Sequence, residues 1–427
     1  MSNKIRWIQL SDIHYQFDNY NTVKVRDRLV THLQDLRQSI EYNFLIITGD
    51  VTYKNKGYDS DTIAFICKIA DILQIEKRQI FIVPGNHDLH RSDLRITILK
   101  DIFDGEISEQ ANKADKIFCD ENKVEYLKVL QDGFKRFSDF ETTLLNRPSR
   151  ISELHFVEED ENYRIIHLNT CIMAGQDGED GKLFVGSSPL YKTLRSISID
   201  DQDNKKVNIA IGHHSLECFV LPERNKVLDD FQNYNIDLYL CGHAHEPKYV
   251  KNFGGDHTLH SFVCGSNIVD DSSKTCFISG QIDINTGEGK VDFHTWDDKK
   301  FEWYIDYSVE GPETANMECV FKLERLGGIH ESRVSTQSRD INTTEFEVVA
   351  KIYPEVKSYI KRKMALSDLE ESPFLLESNR FELADVVKSR KRVVLLGDAG
   401  SGKSTELQHL AWYCSQGADP LYVFSII

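Results

Sequence analysis

"IFIVPGNHD", Ile80 to Asp88, decides how the rest of the chain is read. Ile80–Val83 is a buried-strand run, and within three positions its polarity inverts into Asn86, His87 and Asp88. The same event occurs four more times. "IQLSDIH" ends on Asp12 and His14, "IITGD" on Asp50, "AIGHH" on His213 and His214, and "YLCGHAH" on His243 and His245. Ligands of open α/β sheets bind beyond the carboxyl ends of the strands, so the five ends are expected to meet on one rim. A glycine stands shortly before the polar residues in four blocks (Gly49, Gly85, Gly212, Gly242). It reads as the freedom for a sharp turn that faces the next side chain inward.

The donors are carboxylate, amide and imidazole, with no thiolate, a set that suits hard to borderline cations. Asp-x-His and His-x-His each put two donors on one face of an extended segment. One carboxylate can bridge two cations, so a binuclear centre is expected, its ions ~3.5–4 Å apart and suited to in-line displacement at phosphorus.

In this order, Asp-x-His, Gly-Asp, Gly-Asn-His-Asp, His and Gly-His-x-His, the blocks resemble the calcineurin-like metallophosphoesterase superfamily over about residues 4–300. The resemblance implies an α/β fold, a β-sandwich flanked by helices with the metal site at the C-terminal strand ends. It implies that Asp12, His14, Asp50 and His245 hold one ion, and that Asn86, His213 and His243 complete the second, with Asp50 bridging. His87 would stabilise the transition state or protonate the leaving oxygen, and Asp88 would orient His87. His214, next to a ligand, is a further catalytic candidate that faces either substrate or core. Two divalent ions are implied, Mn2+ foremost, with Fe, Zn, Ni or Mg as alternatives.

Protein Ser/Thr phosphatases of the superfamily carry Asp-Arg-Gly after the bridging Asp and an Arg-Gly-Asn-His-Glu block. "GDVTYKNKGYD" and "VPGNHD" depart from both. The reading is therefore a phosphodiesterase whose partner is nucleic acid or a nucleotide, cyclic nucleotides included. The alternatives are a phosphomonoesterase or protein phosphatase, and a catalytically silent metal-binding sensor. His90 and Arg91 could hold a substrate phosphate or lie idle on the surface.

Outward from these blocks, "KIRWIQL", "FLIIT", "YRIIHLN", "VNIAIG" and "IDLYLCG" are further strand candidates. Leu29, Leu33, Leu36 and Ile40 form one helical stripe, and Ile63, Ile66, Ile69 and Leu73 another. From 257 to 305 the helical pattern gives way to consecutive strands. The phosphoesterase domain is expected over residues 1–305, with 105–150 a helical insertion or cap. His32, His155, His167, His257, His260 and His294 match no motif, and Cys241 reads as core packing.

Over 427 residues, 51 Lys and Arg stand against 68 Asp and Glu, a net charge of −17. Bulk charge therefore attracts neither DNA nor an anionic membrane, and a polyanion must be gripped locally. No apolar run approaches the ~18 residues of a membrane span. The nine cysteines form no CxxC pair, which fits free thiols. A cytoplasmic protein without membrane contact is expected.

Residues 306–390 read as a linker with helices, and 391–427 as the start of a P-loop unit. "GDAGSGKST" supplies Gly397, Gly400, Gly402, Lys403, Ser404 and Thr405 after the strand-like "RVVLL". Backbone N–H groups there would cradle phosphates, Lys403 would reach the outer ones, and Ser404 would hold Mg2+. The loop looks like that of STAND or NACHT-type NTPases, which place an effector before it. This implies ATP and Mg2+ binding only in a longer protein, oligomerisation through that region, and an effector role in bacterial antiviral defence or signalling.

Overall fold

The computed structural model describes residues 3–326, apart from residues 18 and 177 and the segments 198–205, 255–256, 270–272 and 310–317. Beyond these it describes only 364–365 and 380–381. The chain divides into two compact units, 1–329 and 330–427.

In the first unit β1 (Lys4–Leu10), β2 (Phe44–Ile47) and β3 (Ile80–Ile82) alternate with α1 (Tyr20–Arg37) and α2 (Ser60–Leu73). Each helix starts where a side chain can accept an otherwise unpaired N–H: Asn19 takes that of Thr22, and Asp59 that of Thr62. Four helices follow: α3 (Asp93–Ile102), α4 (Ile107–Cys119), α5 (Val124–Asp132) and α6 (Lys135–Leu145). Next come β4 (His155–Glu159), β5 (Tyr163–Leu168), α7 (Ser187–Leu194), β6 (Val207–Ile211), α8 (Leu221–Asn233) and β7 (Leu238–Cys241). The closing strands are β8 (Lys248–Gly254), β9 (His257–Val263), β10 (Cys276–Asp283), β11 (Glu288–Asp297), β12 (Glu302–Ile305) and β13 (Cys319–Lys322).

Two sheets result. One runs β12-β11-β10-β1-β2-β3, with β13 also paired to β11; the other runs β4-β5-β6-β7-β9-β8. Strands β1, β2 and β3 are parallel, as are β5, β6, β7 and β9, so the motif-bearing ends of each sheet share one rim. Strand alternation sorts the side chains. Trp7, Phe44 and Ile46 enter the core between the sheets with Ile165, Ile209, Leu240 and Phe262. Ile8, Leu45 and Ile47 point the other way, onto Leu29, Leu33, Ile66 and Ile69 of α1 and α2. A third core lies between the second sheet and α3, α4, α5, α7 and α8. The fold is thus a mixed α/β arrangement of two sheets with helices outside both. In the segment expected as an insertion or cap, α4–α6, the side chains of Leu130, Phe134, Phe137, Phe140 and Leu144 are buried.

One buried cation fixes the helices to the loop after β5. Arg95, on α3, is fully buried. Its guanidinium donates to the carbonyls of Leu130 (2.6 Å), Cys171 (3.1 Å), Ile172 (2.7 Å) and Ala174 (2.8 Å). Burial lowers its pKa to about 10, so it stays charged at neutral pH. Arg95→Ala leaves these carbonyls without a donor and opens a cavity. The expected loss is roughly 3–5 kcal/mol of unfolding free energy, measured by urea denaturation. A loss below about 1 kcal/mol would show that the clamp does not hold this region.

In the second unit, the described residues form one short antiparallel pair, β14 (Met364–Ala365) with β15 (Arg380–Phe381). The proposed P-loop residues, Gly397, Gly400, Gly402, Lys403, Ser404 and Thr405, lie outside the described residues.

Candidate metal centre

Beyond the strand ends the backbone takes a form that L-residues avoid. Asp12, His14, Asp50, His243 and His245 all have left-handed φ, between 43° and 67°. Hydrogen bonds between the loops hold them: Asp12 N–H to the Gly49 carbonyl (3.1 Å), His14 N–H to that of Asp50 (2.9 Å), and Gly242 N–H to that of His213 (2.9 Å). The glycines do something other than expected. Of the four, only Gly49 has a positive φ, at 93°. Gly85 is required by closeness, because a Cβ there would sit 2.0 Å from Asp50 Oδ1. The sharp turn falls largely on the functional residues themselves.

The seven expected ligands converge. Asp12 Oδ1 lies 3.1 Å from His245 Nε2 and 4.0 Å from His14 Nε2. Asp50 Oδ2 lies 3.8 Å from His14 Nε2 and 3.5 Å from His213 Nε2. His213 Nε2 is in turn 3.2 Å from both Asn86 Oδ1 and His243 Nδ1.

The outer hydrogen bonds settle where the ring protons are. His213 Nδ1 donates to the Thr48 carbonyl (2.8 Å), and His14 Nδ1 to that of Thr52 (3.2 Å). His243 Nε2 donates to Asp180 Oδ1 (3.1 Å). With those protons committed outward, His213 Nε2, His243 Nδ1 and Asn86 Oδ1 face one another as three acceptors with no proton to share. Such a set fits a cation. Candidate three-donor groups, each with ligand atoms within 4.8 Å of one another, include Asp12–His14–His245, Asp12–Asp50–His213 and His213–His214–His243.

Charge tells the same story. Asp12, Asp50 and Asp88 are almost completely buried. Burial raises the Asp12 carboxyl, but the imidazoles of His245, His213 and His14 outweigh it and hold the group below its usual range. Asp50 has little relief: burial and the carboxylates of Asp12 and Asp88 push it well above its usual range. Bound cations remove that conflict.

Asp88 and His214 are placed differently from expectation. Asp88 does not touch His87 by hydrogen bond. Its oxygens accept from Thr52 N–H (3.0 Å), Val51 N–H (3.3 Å), Gly85 N–H (2.9 Å) and the Tyr58 hydroxyl (2.8 Å). It braces two loops instead of orienting the histidine. His87 is positioned by its backbone, whose N–H donates to Asp50 Oδ1 (2.7 Å), and by Lys54 N–H, which donates to its Nδ1 (3.2 Å). His214 is fully buried, with Nδ1 3.1 Å from Thr170 Oγ1 and its ring 4.4 Å from that of His243. It sits behind the cluster and not in the neighbouring cleft, which Lys54, Asn55, Asn86, His87, Leu89 and Arg91 line. The histidines without motifs are structural where described; His167, for example, bonds the Ile82 carbonyl, and His32 bonds His294. Cys241 is buried, and burial raises its thiol well above the usual range.

Sequence reading missed Asp180, Tyr58 and Thr170, which act through other residues and follow no spacing rule. Asp180 is the sharpest case, because it fixes the ring of His243 from a loop 63 positions away. Adding Mn2+ to metal-free protein is expected to raise its thermal midpoint, since the ion binds only the folded site. Asp180→Ala should weaken Mn2+ binding about 10- to 100-fold, and Asp180→Asn, which keeps an acceptor oxygen, should recover most of it. An unmoved midpoint would count against the metal site, and wild-type affinity in Asp180→Ala against the positioning role.

The family model for calcineurin-like phosphoesterases matches residues 5–247. A Bacillus subtilis relative described as an uncharacterized metallophosphoesterase-like protein, YydB, is 29% identical over 346 residues, covering 81% of this chain and 70% of the relative. Among solved structures, GAP50, the anchor in the inner membrane complex of Plasmodium, is 14% identical with a TM-score of 0.39, covering 75% of this chain and 88% of that one. A phosphatase from Mycoplasma pneumoniae is also 14% identical, with a TM-score of 0.36, covering 70% of this chain and 97% of that one. The matched span contains all five motif blocks gathered on the rim, and this chain belongs to the calcineurin-like phosphoesterase family.

Proposed function

We propose that the protein is a metal-dependent phosphodiesterase acting on nucleic acid or nucleotides. One observation carries the reading: the converged acceptors adjoin a cleft of about 480 Å³ that shares Asn86 with them and is also lined by His87. Asp12, His14, Asp50 and His245 would hold one divalent ion, and Asp50, Asn86, His213 and His243 the other, Mn2+ being the first choice. Bound there, the ions supply charge against the phosphoryl oxygens and make water acidic enough to attack at neutral pH.

The chain's own residues do the rest. Burial is the largest cause holding the His87 imidazole down at about 3, so it is neutral at working pH. Its Nδ1 accepts from Lys54 N–H, which leaves the proton on Nε2. His87 therefore acts as a hydrogen-bond donor to charge developing on the phosphoryl or leaving oxygen. Asp88 and Tyr58 keep its loop in place. The missing Asp-Arg-Gly and Arg-Gly-Asn-His-Glu arginines favour a diester over a phosphoprotein.

Asp50→Asn should lose Mn2+ binding and hydrolysis of bis(p-nitrophenyl) phosphate together. His87→Ala should keep Mn2+ while turnover falls ~10²–10³-fold. Wild-type turnover in metal-loaded Asp50→Asn would refute the two-ion reading, and loss of Mn2+ from His87→Ala would make His87 a ligand. The glycine loop supports a wider context, in which this domain is the effector of a STAND-like NTPase in antiviral defence or signalling. In a longer protein that completes the NTPase, turnover is then expected to change with ATP and Mg2+, and Lys403→Ala should abolish the change; indifference of that protein to ATP would remove the support.

A further inference from the structure

Of the four histidines in the acceptor cluster, His245 is the one its own loop encloses least. Its side chain is 26% exposed, against 18% for His243, 1% for His14 and 0% for His213. Its backbone is left-handed, with φ of 54°, a form that persists only when its surroundings hold it. The hold comes from outside the five motif blocks, from residues between β9 and β10. Lys274 N–H donates to the His245 carbonyl (2.9 Å). Ser273 Oγ lies 3.1 Å from His245 Nδ1, while Nε2 faces Asp12 Oδ1 at 3.1 Å.

Residues of the same connection grip the other member of that pair. Asn267 N–H donates to the Asp12 carbonyl (3.1 Å), and its side-chain amide to that of Ser11 (3.0 Å). Ser266 N–H donates to the Lys274 carbonyl (3.1 Å), which joins the two grips. Asp12 and His245, 233 positions apart in sequence, are thus set by one support.

That support is anchored on a buried carboxylate. Lys274 Nζ lies 2.7 Å from Asp306 Oδ2. Asp306 follows β12 directly, and its N–H donates to the Phe293 carbonyl (2.8 Å) on β11. Its Oδ2 also accepts from the Thr295 hydroxyl (3.2 Å), and its Oδ1 from the Ser308 N–H (2.9 Å) and hydroxyl (2.6 Å). Burial raises this carboxyl, but hydrogen bonds from Lys274 and Ser308 outweigh it and bring it to about 2. The ion pair therefore stands at neutral pH and ties Lys274 to the first sheet. The other acceptors lean elsewhere: His213 on the Thr48 carbonyl, and His243 on Asp180.

We propose that Asp306 is a positioning residue for one ion only, holding Asp12 and His245 in place through Lys274, while Asp180 serves the other ion. This rests on the two-ion reading above and deepens it, because the two ions then have separate supports and can be weakened one at a time.

The test is Mn2+ binding, with the free ion followed by electron paramagnetic resonance. Wild-type protein should take up two ions. Asp306→Asn should weaken one of them about 10- to 100-fold and leave the other at its wild-type affinity. Lys274→Gln, on the more exposed side of the pair, should do the same, and the double variant should add nothing further. His245→Gln identifies the ion: it should lose the one that Asp306→Asn weakens, whereas Asp180→Ala should weaken the other. Equal weakening of both ions, as a general loss of stability would give, overturns the proposal. So does wild-type affinity in either single variant, or additive losses in the double one. Amide exchange in metal-free protein separates the two readings. Lys274 N–H should exchange at least about tenfold faster in Asp306→Asn, while the amides of β1 keep their protection. If the wild type takes up fewer than two ions, the two-ion reading fails. Faster exchange then still upholds Asp306 as the anchor of His245, and unchanged exchange sinks it.

Discussion

Three acceptor atoms that face one another without a proton to share set the terms for this domain. His213 Nε2 stands 3.2 Å from both His243 Nδ1 and Asn86 Oδ1, and each imidazole has already given its proton to an outer oxygen. Beside them lie Asp12 and Asp50, sealed from solvent. In low dielectric such a group is repulsive, and an unpaired buried polar atom costs about 1–3 kcal/mol. Asp88 shows how a carboxylate is made tolerable by protein alone, with four donors on its two oxygens. Asp50 has the His87 N–H as its nearest relief and keeps a strongly raised pKa. Burial raises both carboxyls, but Asp88 is satisfied by protein donors while Asp50 is left in a state that suits a cation.

Holding such a cluster together requires a stiff frame. Five of its residues are in left-handed backbone, each costing on the order of 1–3 kcal/mol. The two sheets supply the opposing stability through the core around Trp7, Phe44, Ile209 and Phe262. Parallel pairing sends successive strands out on one rim, so the strand ends of the two sheets can bond to one another, as Gln9 on β1 does by donating to the Cys241 carbonyl on β7 (2.9 Å). The Arg95 clamp extends the frame to the loop carrying Asp180, which in turn fixes His243.

Much of this was legible in the sequence, for a physical reason: each donor follows an apolar strand run. Strand β1 spans the quoted "KIRWIQL", and β2, β3, β5 and β6 end within one residue of the runs read for them. The departures have physical reasons too. A glycine in sequence does not reveal whether φ or crowding demands it, and at Gly85 it is crowding. The Asp88 carboxylate lies beside His87 in sequence but turns toward the loops at Val51 and Thr52. His214, adjacent to His213, is directed by Thr170 into the interior. Asp180 and Arg95 follow no motif because their partners are set by tertiary packing, which a linear pattern does not encode.

Net charge misleads in the same way, since it averages over distances longer than electrostatic reach. Screening confines an exposed charge to about 8–10 Å at ordinary ionic strength. A chain at −17 can therefore still gather cations at one cleft, as Lys54 and Arg91 are gathered beside Asn86 and His87. Lys54 lines that cleft, and the Tyr53 ring over which Lys54 and Lys56 lie stacks against His87 at 5.8 Å. The acidic remainder discourages non-specific contact with polyanions elsewhere on the surface. At this cleft the left-handed backbone of Lys54 and Asn55 is held by their N–H groups, which donate to His87 Nδ1 and to the His87 carbonyl.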